Sequence, residues 1–304
     1  MNRFPEIDII TLVGPTASGK TPVAAHLTNL LGGVLFGADS RQVYRGMDIG
    51  TGKDLEDFII NGTQIPYRMI DVCEAGERYN LHRYLEDFHE AYSALPAETP
   101  KILCGGTGLY VEAALKGYKM PDVPENLPLR AELETLTLEQ LQEKYAQYQS
   151  LVEVSDLENR RRITRAIEVG DYFQKHGEQY EERAPLRGPI FCIDVNREVR
   201  RSRITKRLRK RLEEGMIEEV EGLLQHLEPE QLIYYGLEYR YVTEYVIGKL
   251  TREEMEEQLE IAIHQFAKRQ MTWWRGMERR GFELQYIKTL DSPKATAELI
   301  ASMI

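Results

Sequence analysis

The stretch that decides the fold lies near the start of the chain. Ile7-Asp-Ile-Ile-Thr-Leu-Val13 is followed by Gly14-Pro-Thr-Ala-Ser-Gly-Lys-Thr21 and then by Pro22-Val-Ala-Ala-His-Leu27. The middle segment matches G-x-x-x-x-G-K-[ST], the pattern of a phosphate-binding loop (P-loop), between a strand-like and a helix-like segment. Its glycines let backbone N–H groups and the helix N-terminus point at one anion, while Lys20 adds a positive charge and Thr21 a hydroxyl for a divalent cation. The sequence therefore predicts a diphosphate-binding site formed by Gly14, Pro15, Thr16, Ala17, Ser18, Gly19, Lys20 and Thr21.

Strand-like and helix-like segments alternate after this loop. Short apolar runs occupy residues 33–36, 67–71 and 101–104, and a helical pattern runs from about Asn80 to Ala94. Such alternation is typical of a parallel sheet with helices on both faces. We therefore predict an α/β fold, a P-loop NTPase-like parallel sheet flanked by helices.

The pattern changes near Gly117. Prolines 121, 124 and 128 indicate a linker, and residues 129–175 have helical spacing without a strand signal. A strand-like run at 189–194 follows, and then helical patterns at 198–226, 240–247 and 252–276. We predict a core of residues 1–117 and 189–304 with a helical insertion domain of residues 118–188.

Composition excludes several classes of protein. The 304 residues are 42% apolar and 29% charged, which is ordinary for a globular chain. The most apolar runs are too short to span a bilayer, and the N-terminus lacks an export signal. Three cysteines are too few and too scattered for a disulfide framework, and no Cys/His cluster has zinc spacing. We expect a cytoplasmic protein without a membrane segment or an obligate protein partner.

The charge pattern is uneven. A net charge of −10 argues against general coating of nucleic acid, but basic residues cluster at 160–165, 197–211 and 268–280. Each cluster alone is typical of a solvated helix face. Three of them in an acidic chain favour a polyanionic partner.

Two more segments follow predicted strands. Asp39-Ser-Arg-Gln-Val-Tyr44 follows the second strand, so Asp39 should lie at the carboxyl edge of the sheet, where it can hold a cation through water or accept a proton. A helix cap is the alternative role for Asp39. Gly105-Gly-Thr-Gly-Leu-Tyr110 follows another strand; its glycines allow close approach of a ligand and Thr107 can donate a hydrogen bond, although an ordinary tight turn also fits.

Together these segments are more specific than any one of them. The chain closely resembles the tRNA dimethylallyltransferases, from the phosphate loop to Arg275. The matching segments are Gly14 to Thr21, Asp39 to Tyr44 with Asp48-Ile-Gly-Thr51, Gly105 to Tyr110, Arg162-Ile-Thr-Arg-Ala-Ile-Glu168 and Lys268-Arg-Gln-Met-Thr-Trp-Trp-Arg275.

The resemblance implies a prenyl transfer. Dimethylallyl diphosphate would give its five-carbon group to N6 of an adenine beside the anticodon of tRNA, with diphosphate as the leaving group. Mg²⁺ near Thr21 would assist departure, Asp39 would accept the N6 proton, and Thr107 would bond near the scissile C–O bond. The adenine would be extruded from the anticodon loop to reach the site. The implied tRNA contacts are Asp39, Ser40, Arg41, Gln42, Arg161, Arg162, Ile163, Thr164, Arg165, Arg240, Lys268, Arg269, Gln270 and Arg275.

The sequence departs from the family pattern at four positions. Tyr235 stands where the family commonly has arginine and Glu238 where it has glycine, which leaves Arg240 as the best contact candidate there. Gly52 and Asp54 replace the alanine and proline of Gly-Thr-Ala-Lys-Pro. We further predict that Trp273, Trp274 or both pack in the core.

Three other functions remain open from the residues. A P-loop kinase of a small molecule or nucleoside could use Asp71 or Asp194 as a metal carboxylate, but it leaves the basic clusters unexplained. A regulatory nucleotide-binding module gives Asp39 and Thr107 no role. Prenylation of free adenine nucleotides would not need the insertion.

Overall fold

The computed structural model describes residues 7–118, 120, 122–154, 156–177 and 183–304. The chain forms two compact units, residues 1–117 with 184–304 (the core unit) and residues 118–183 (the insertion unit). The chain leaves and re-enters the core unit side by side, since the N–H of Leu186 donates to the carbonyl of Leu115 over 2.8 Å.

Ten strands, twelve α-helices and one short 3₁₀ helix (Leu55–Phe58) are present within the described residues. The strands are β1 (Ile10–Val13), β2 (Val34–Gly37), β3 (Tyr44–Arg45), β4 (Ile59–Ile60), β5 (Thr63–Gln64), β6 (Tyr67–Arg68), β7 (Cys73–Glu74), β8 (Lys101–Gly105), β9 (Ile190–Asp194) and β10 (Leu284–Lys288). The helices are α1 (Lys20–Leu31), α2 (Leu81–Ser93), α3 (Gly108–Lys116), α4 (Leu127–Glu134), α5 (Leu138–Tyr145), α6 (Arg160–His176), α7 (Arg197–Glu213), α8 (Met216–Leu223), α9 (Pro229–Tyr234), α10 (Leu237–Val246), α11 (Arg252–Arg279) and α12 (Pro293–Ser302).

The main sheet is parallel, as the sequence predicted. Its strand order is β10-β9-β1-β8-β2-β6, and every neighbouring pair runs in the same direction. Val13 at the end of β1 is in register with Gly105 of β8 and Cys192 of β9. The carboxyl ends of these strands therefore share one edge, and the segments that follow β1, β2 and β8 leave the sheet together.

The core of this unit packs between the sheet and the helices beside it. Leu12 and Phe191 from the strands, Leu27 from α1 and Ile300 from α12 are each 0% exposed and belong to one cluster. Burial of each such side chain stabilises the fold by about 1.5–3 kcal/mol. The phosphate loop is thus attached at both ends to well-buried elements.

Several predicted elements differ in extent. The helix predicted at 198–226 is broken at Gly215, whose φ of +105° cannot continue a helix, so α7 and α8 are separate. The strand predicted at 67–71 is only β6, because Met69 and Asp71 have positive φ and turn the chain out of the sheet. Neither β10 nor α12 was predicted, since the edge strand β10 buries only Ile287 and carries little apolar signal.

The insertion unit has a core of its own. Leu133 of α4, Leu141 of α5, and Ile163 and Ile167 of α6 are each 0% exposed and pack together. In the parts of the chain described here, no helix has both the length and the apolar character needed to cross a membrane. Cys73, Cys104 and Cys192 are buried free thiols.

Candidate functional site

A cavity of about 470 Å³ opens at the carboxyl edge of the sheet in the core unit. Its walls come from the phosphate loop, the turn after β2, the loop after β8, the loop at residues 50–52, and helices α7, α10 and α11. The catalytic candidates Asp39 and Thr107 both line this cavity, together with Thr16, Lys20 and Thr21 of the phosphate loop.

The phosphate loop has the geometry that its sequence predicts. It connects β1 to α1, and Gly19 adopts φ +84° immediately before the helix begins at Lys20. Gly14 has φ +156°, and a Cβ there would lie 2.9 Å from the Ser18 Oγ. Burial lowers the pKa of Lys20, and the negative charge of Asp39 is among the influences that oppose this shift. Lys20 and Asp39 therefore lie close enough for their charges to interact.

Asp39 holds a turn rather than a helix. Its Oδ1 accepts a hydrogen bond from the backbone N–H of Arg41 over 3.0 Å, and the segment that follows is a turn leading into β3. The alternative role as a helix cap is therefore wrong, because no helix begins there. The same bond fixes the carboxylate at the edge of β2.

Thr107 joins its loop to the Asp39 segment. Its Oγ1 accepts from the Ser40 N–H over 3.0 Å and donates to the Ser40 Oγ over 3.3 Å, while its own N–H donates to the Ala38 carbonyl over 3.1 Å. A Cβ on Gly105 would lie 2.0 Å from that Ala38 oxygen. Residue 105 must therefore be glycine for the loop to approach Ala38 this closely. Since Thr107 bonds to both Ala38 and Ser40, it also orients Asp39, which lies between them in the chain.

The ammonium of Lys20 and the carboxylate of Asp39 both lie close to Gly106. A Cβ built on it would lie 3.6 Å from Lys20 Nζ and 3.7 Å from Asp39 Oδ2. The nearest atom to that position is Gln270 Nε2, at 2.6 Å, so the side chains of Lys20, Asp39 and Gln270 converge on Gly106.

Gln270, predicted to contact tRNA, forms part of the cavity wall. It is 6% exposed; its Nε2 donates to the Gly106 carbonyl over 2.9 Å and its Oε1 accepts from the Thr16 N–H over 2.8 Å. Its amide group thus connects the phosphate loop to the loop after β8.

The loop at residues 47–53 is held by groups that sequence reasoning missed. The Glu219 carboxylate accepts from the N–H groups of Asp48, Ile49 and Gly50 at 2.7, 2.8 and 3.0 Å and from the Tyr239 hydroxyl at 2.6 Å. Gln42 donates to the Gly52 carbonyl over 2.9 Å. Helix α8 therefore anchors the far side of the cavity.

The buried ammonium of Lys53 ties this loop to the rest of the core. It donates to the Tyr44 carbonyl and to Asp48 Oδ1, each over 2.5 Å, and to Asp71. Asp71 is therefore used in an ion pair, and Asp194, the other carboxylate that a kinase could use, lines a different cavity. Neither lines the cavity with the phosphate loop.

Arg207 and Arg211 of α7 also line the cavity and were not singled out by the sequence. Arg207 donates to the Gly52 carbonyl over 3.2 Å and pairs with Asp54. Arg211 is 8% exposed, and burial together with the Arg207 charge lowers its pKa to about 10.

Comparison with known proteins identifies the family. A model of the IPP transferase family matches residues 42–277. The chain belongs to this family. The tRNA dimethylallyltransferase 1 of Azobacteroides pseudotrichonymphae is 53% identical over 285 residues, which cover 93% of both chains. That of Parabacteroides distasonis is 51% identical over 97% of this chain and 96% of its own length. The full-length tRNA isopentenylpyrophosphate transferase from Bacillus halodurans has a similar structure, with a TM-score of 0.68 and 26% identity over 98% of this chain and 95% of that one.

The C-terminal segment shared with this transferase family is divided between two cavities. Arg269, Gln270 and Trp273 line the cavity with the phosphate loop. Lys268 and Arg275 line a second cavity of about 640 Å³ in the core unit, with Arg197, Arg200 and Arg201. Of the two tryptophans, Trp274 is 0% exposed and packs in the core, as predicted for at least one of them.

Three other candidate contacts have distinct settings. Ser40 and Arg41 line the cavity with the phosphate loop, and the Arg41 guanidinium lies 5.5 Å from the centre of the Tyr234 ring. Arg240 is exposed, pairs with Glu244 at 3.3 Å and is not among the residues that line the cavity. Arg240 therefore lies next to the cavity, beside the lining residue Tyr239, and does not line it.

In the insertion unit, α6 presents a basic concavity. Arg161, Arg162, Thr164 and Arg165 line a space of about 990 Å³. Ile163 does not, because it is 0% exposed in the core of this unit; its prediction as a tRNA contact is wrong, since a side chain with no exposed surface cannot touch RNA. Its buried position follows from the helical spacing of Ile163, Ala166 and Ile167.

Arg165 also has a structural role. It pairs with Glu168 and donates to the Val123 carbonyl over 2.8 Å. Burial would raise the pKa of Glu168, but hydrogen bonds from Arg130, the Asn126 N–H and Arg165 lower it overall. Arg161 is exposed and forms no ion pair within the residues described, so its charge is available to a ligand.

The metal candidate is Thr21. Across the described part of the chain, no group of three or more His, Cys, Asp or Glu side chains could hold a metal ion. Thr21 lines the cavity next to Lys20. One hydroxyl beside a phosphate loop fits Mg²⁺, which usually takes few protein ligands and completes its shell with phosphate oxygens and water.

Proposed function

We propose that this protein transfers a dimethylallyl group from dimethylallyl diphosphate to N6 of an adenosine next to the anticodon of tRNA and releases diphosphate. The observation that carries the proposal is that Lys20 Nζ and Asp39 Oδ2 lie 3.6 and 3.7 Å from the position that a Cβ on Gly106 would take. A group that binds leaving diphosphate and a group that accepts a proton are thereby within reach of one reacting centre.

The phosphate loop acts on the leaving group. As the C1–O bond of the allylic diphosphate breaks, its electron pair moves to the bridging oxygen and negative charge builds on the diphosphate. Lys20 and the backbone N–H groups at the start of α1 would stabilise that charge, because Lys20 and Thr21, where this helix begins, line the cavity. A loop often associated with phosphoryl transfer here binds a phosphate group that departs intact.

Mg²⁺ is the cofactor that these residues suit. Thr21 would hold it together with the diphosphate oxygens, and the ion would add positive charge to the leaving group. The metal is thus expected to arrive and leave with the diphosphate.

Asp39 acts on the nucleophile. The N6 lone pair forms the new bond to C1, and the amine then loses a proton to the carboxylate. Because Oδ1 accepts from Arg41, Oδ2 faces the space at Gly106 and is the atom that receives the proton. Thr107 positions this carboxylate through Ser40.

The tRNA contacts are proposed from chemistry and exposure. Arginine and lysine side chains bind phosphates, and arginine also stacks on unpaired bases. The proposed contacts are Arg161 and Arg162 in the insertion unit and Arg41, Lys268, Arg269 and Arg275 in the core unit. Because Asp39 lines the cavity, the target adenine has to leave its stack to reach it.

The test is a direct assay with competing substrates. Purified protein is incubated with Mg²⁺, labelled dimethylallyl diphosphate and either unmodified tRNA or AMP, and labelled product is quantified. Label in tRNA, at an adenosine next to the anticodon, supports the proposal. Label in AMP alone indicates prenylation of free nucleotides, and ATP turnover without prenyl transfer indicates a kinase.

A further inference from the structure

One buried arginine in the cavity has an incomplete set of partners. Arg211 is 8% exposed, yet its Nε has no hydrogen-bond partner in the described part of the chain. Its ion pair is with Glu238, at 3.8 Å, which is beyond hydrogen-bond distance. A buried guanidinium with unsatisfied donors is costly unless an anion completes it.

The environment of Arg211 is short of negative charge. The nearest cation, Arg207, repels it, and Asp54 is already paired with Arg207. Glu238 is too far from Arg211, at 3.8 Å, to hydrogen-bond with it. The surroundings therefore leave Arg211 short of an anionic partner, in the cavity that the phosphate loop also lines.

Helix α7 places three arginines in a row toward this site. Arg203, Arg207 and Arg211 are four residues apart and share one face of the helix. The Nη1 of Arg203 lies 3.5 Å from the carbonyl oxygen of Ser18 in the phosphate loop, and Arg211 lies at the Gly52 end of the row. The row thus runs along the cavity from the phosphate loop to the loop at residues 50–52.

The positions where this chain departs from its family pattern gather around the same guanidinium. A Cβ at Gly52 would lie 1.3 Å from Arg211 Nη2, so the alanine of the family pattern could not coexist with Arg211 in this position. Glu238 pairs with Arg211, and Asp54 pairs with Arg207. Tyr235, which stands in place of an arginine, lines the same cavity. Tyr235 brings no charge to this cavity, whereas Arg207 and Arg211 of α7 do.

We propose that Arg211, supported by Arg207, binds the diphosphate of the allylic substrate and takes the part of the cation absent at Tyr235. This inference rests on the proposed function, because it assigns a residue to the leaving group of that reaction. Its guanidinium would donate to diphosphate oxygens while Lys20 binds from the phosphate loop. Gly52 is then a requirement of this arrangement, since it makes room for the guanidinium.

The test uses inorganic pyrophosphate with Mg²⁺ as the probe and the full chain as the binder. Arg211→Gln should weaken pyrophosphate binding by about ten- to a hundredfold in calorimetric titration, the loss typical of a charge-assisted hydrogen bond in a buried site. Arg209→Gln, an equal change of charge at an exposed position of the same helix, should bind like the wild type. A folded Arg211→Gln that binds pyrophosphate within twofold of the wild type overturns the inference.

A second variant covers the case in which Arg211→Gln does not fold. Arg211→Lys keeps the charge but loses the planar fork, and it should bind pyrophosphate about three- to tenfold more weakly. Unchanged binding by Arg211→Lys then counts against the inference. Failure of the proposed function is distinguishable, because the wild type would bind pyrophosphate through Arg211 yet transfer no prenyl group to tRNA.

Discussion

The amide oxygen of Gln270 accepts a hydrogen bond from the backbone N–H of Thr16 over 2.8 Å, so a helix near the end of the chain holds the loop near its start. The other end of the same amide donates to Gly106. Gln270→Ala should therefore leave two buried backbone groups unpaired and cost about 1–3 kcal/mol of unfolding free energy. Denaturant titration measures this, with Gln265→Ala on the exposed face of α11 as the control. A loss equal to that of the control would show that the amide contributes nothing to loop position.

Lys20→Ala should weaken the use of dimethylallyl diphosphate while tRNA binding survives. The Lys20 ammonium is the only full positive charge within the phosphate loop, Gly14 to Thr21. Because its loss leaves only backbone N–H donors there, we expect the dissociation constant for Mg²⁺-pyrophosphate to rise by about tenfold or more. Calorimetry gives the pyrophosphate affinity and filter binding gives the tRNA affinity. Lys294→Ala, an exposed lysine on α12, is the matched control. Equal losses in both affinities would point to misfolding instead of a lost contact.

Asp39→Asn tests the proposed base. Asparagine keeps the oxygen that accepts from Arg41, so the turn should persist, but it cannot take the N6 proton. We expect single-turnover transfer to saturating tRNA to fall by about 10²- to 10⁴-fold. A fall of less than about threefold, well below the general-base range, would remove Asp39 from the mechanism.

Arg161 is exposed, and Arg162 is exposed with a long ion pair of 3.9 Å to Asp156, so both can turn their charges to a ligand. Replacing both with glutamine should weaken tRNA binding and reduce the slope of log affinity against log salt by roughly 1.5 units, because each phosphate contact contributes about 0.7–0.9. Lys175→Gln, at the other end of α6 and paired with Asp171, controls for the general change in charge. If the slope equals that of the wild type, the two arginines do not contact tRNA phosphates and belong to a solvent-facing surface of the helix.

Asp57 should make the folded protein less stable as pH rises. Burial, with a smaller contribution from the Asp54 charge, raises the pKa of Asp57 from 3.8 to about 6. Below pH 3.8 both folded and unfolded states hold the proton. Between pH 3.8 and about 6 the unfolded state has lost the proton while the folded state still holds it, so stability falls across this window and stays at the lower level above it.

Asp57→Asn should therefore raise the unfolding free energy at pH 7.5 by about 1–3 kcal/mol and leave it nearly unchanged at pH 4. Urea titrations at the two pH values measure the difference. Glu56→Gln, at the exposed neighbouring carboxylate, should show no such dependence. A gain of equal size at both pH values would attribute the effect to something other than ionisation.

The parts of the site that follow from local rules could be predicted from the sequence. The phosphate loop needs only a strand, a glycine-rich turn and a helix within residues 7–27, and Asp39 and Thr107 follow because parallel strands end at one edge. The helical pattern also contained the signal that buries Ile163, which the family resemblance obscured.

The remaining contacts depend on residues far apart in sequence. Glu219 binds N–H groups at positions about 170 residues earlier, and Arg207 reaches Gly52 from 155 residues away. In the sequence both residues belong to a charged helix, and charge alone does not distinguish a face turned to solvent from one turned to a cavity. Only the packing of α7 and α8 against the loop at residues 47–53 makes that distinction.

The backbone bond between Leu115 and Leu186 has a consequence for how this enzyme can be altered and how it could have been assembled. Since the chain leaves and re-enters the core unit at neighbouring positions, residues 118–183 form a replaceable insertion (the cassette). After their removal, a short turn should be able to join residues 117 and 184 without moving a strand of the sheet. The cassette carries its own apolar interior, so it can be exchanged as a piece. Under the proposed function, recognition of tRNA by the insertion unit and chemistry in the core unit can then diverge at different rates within one gene.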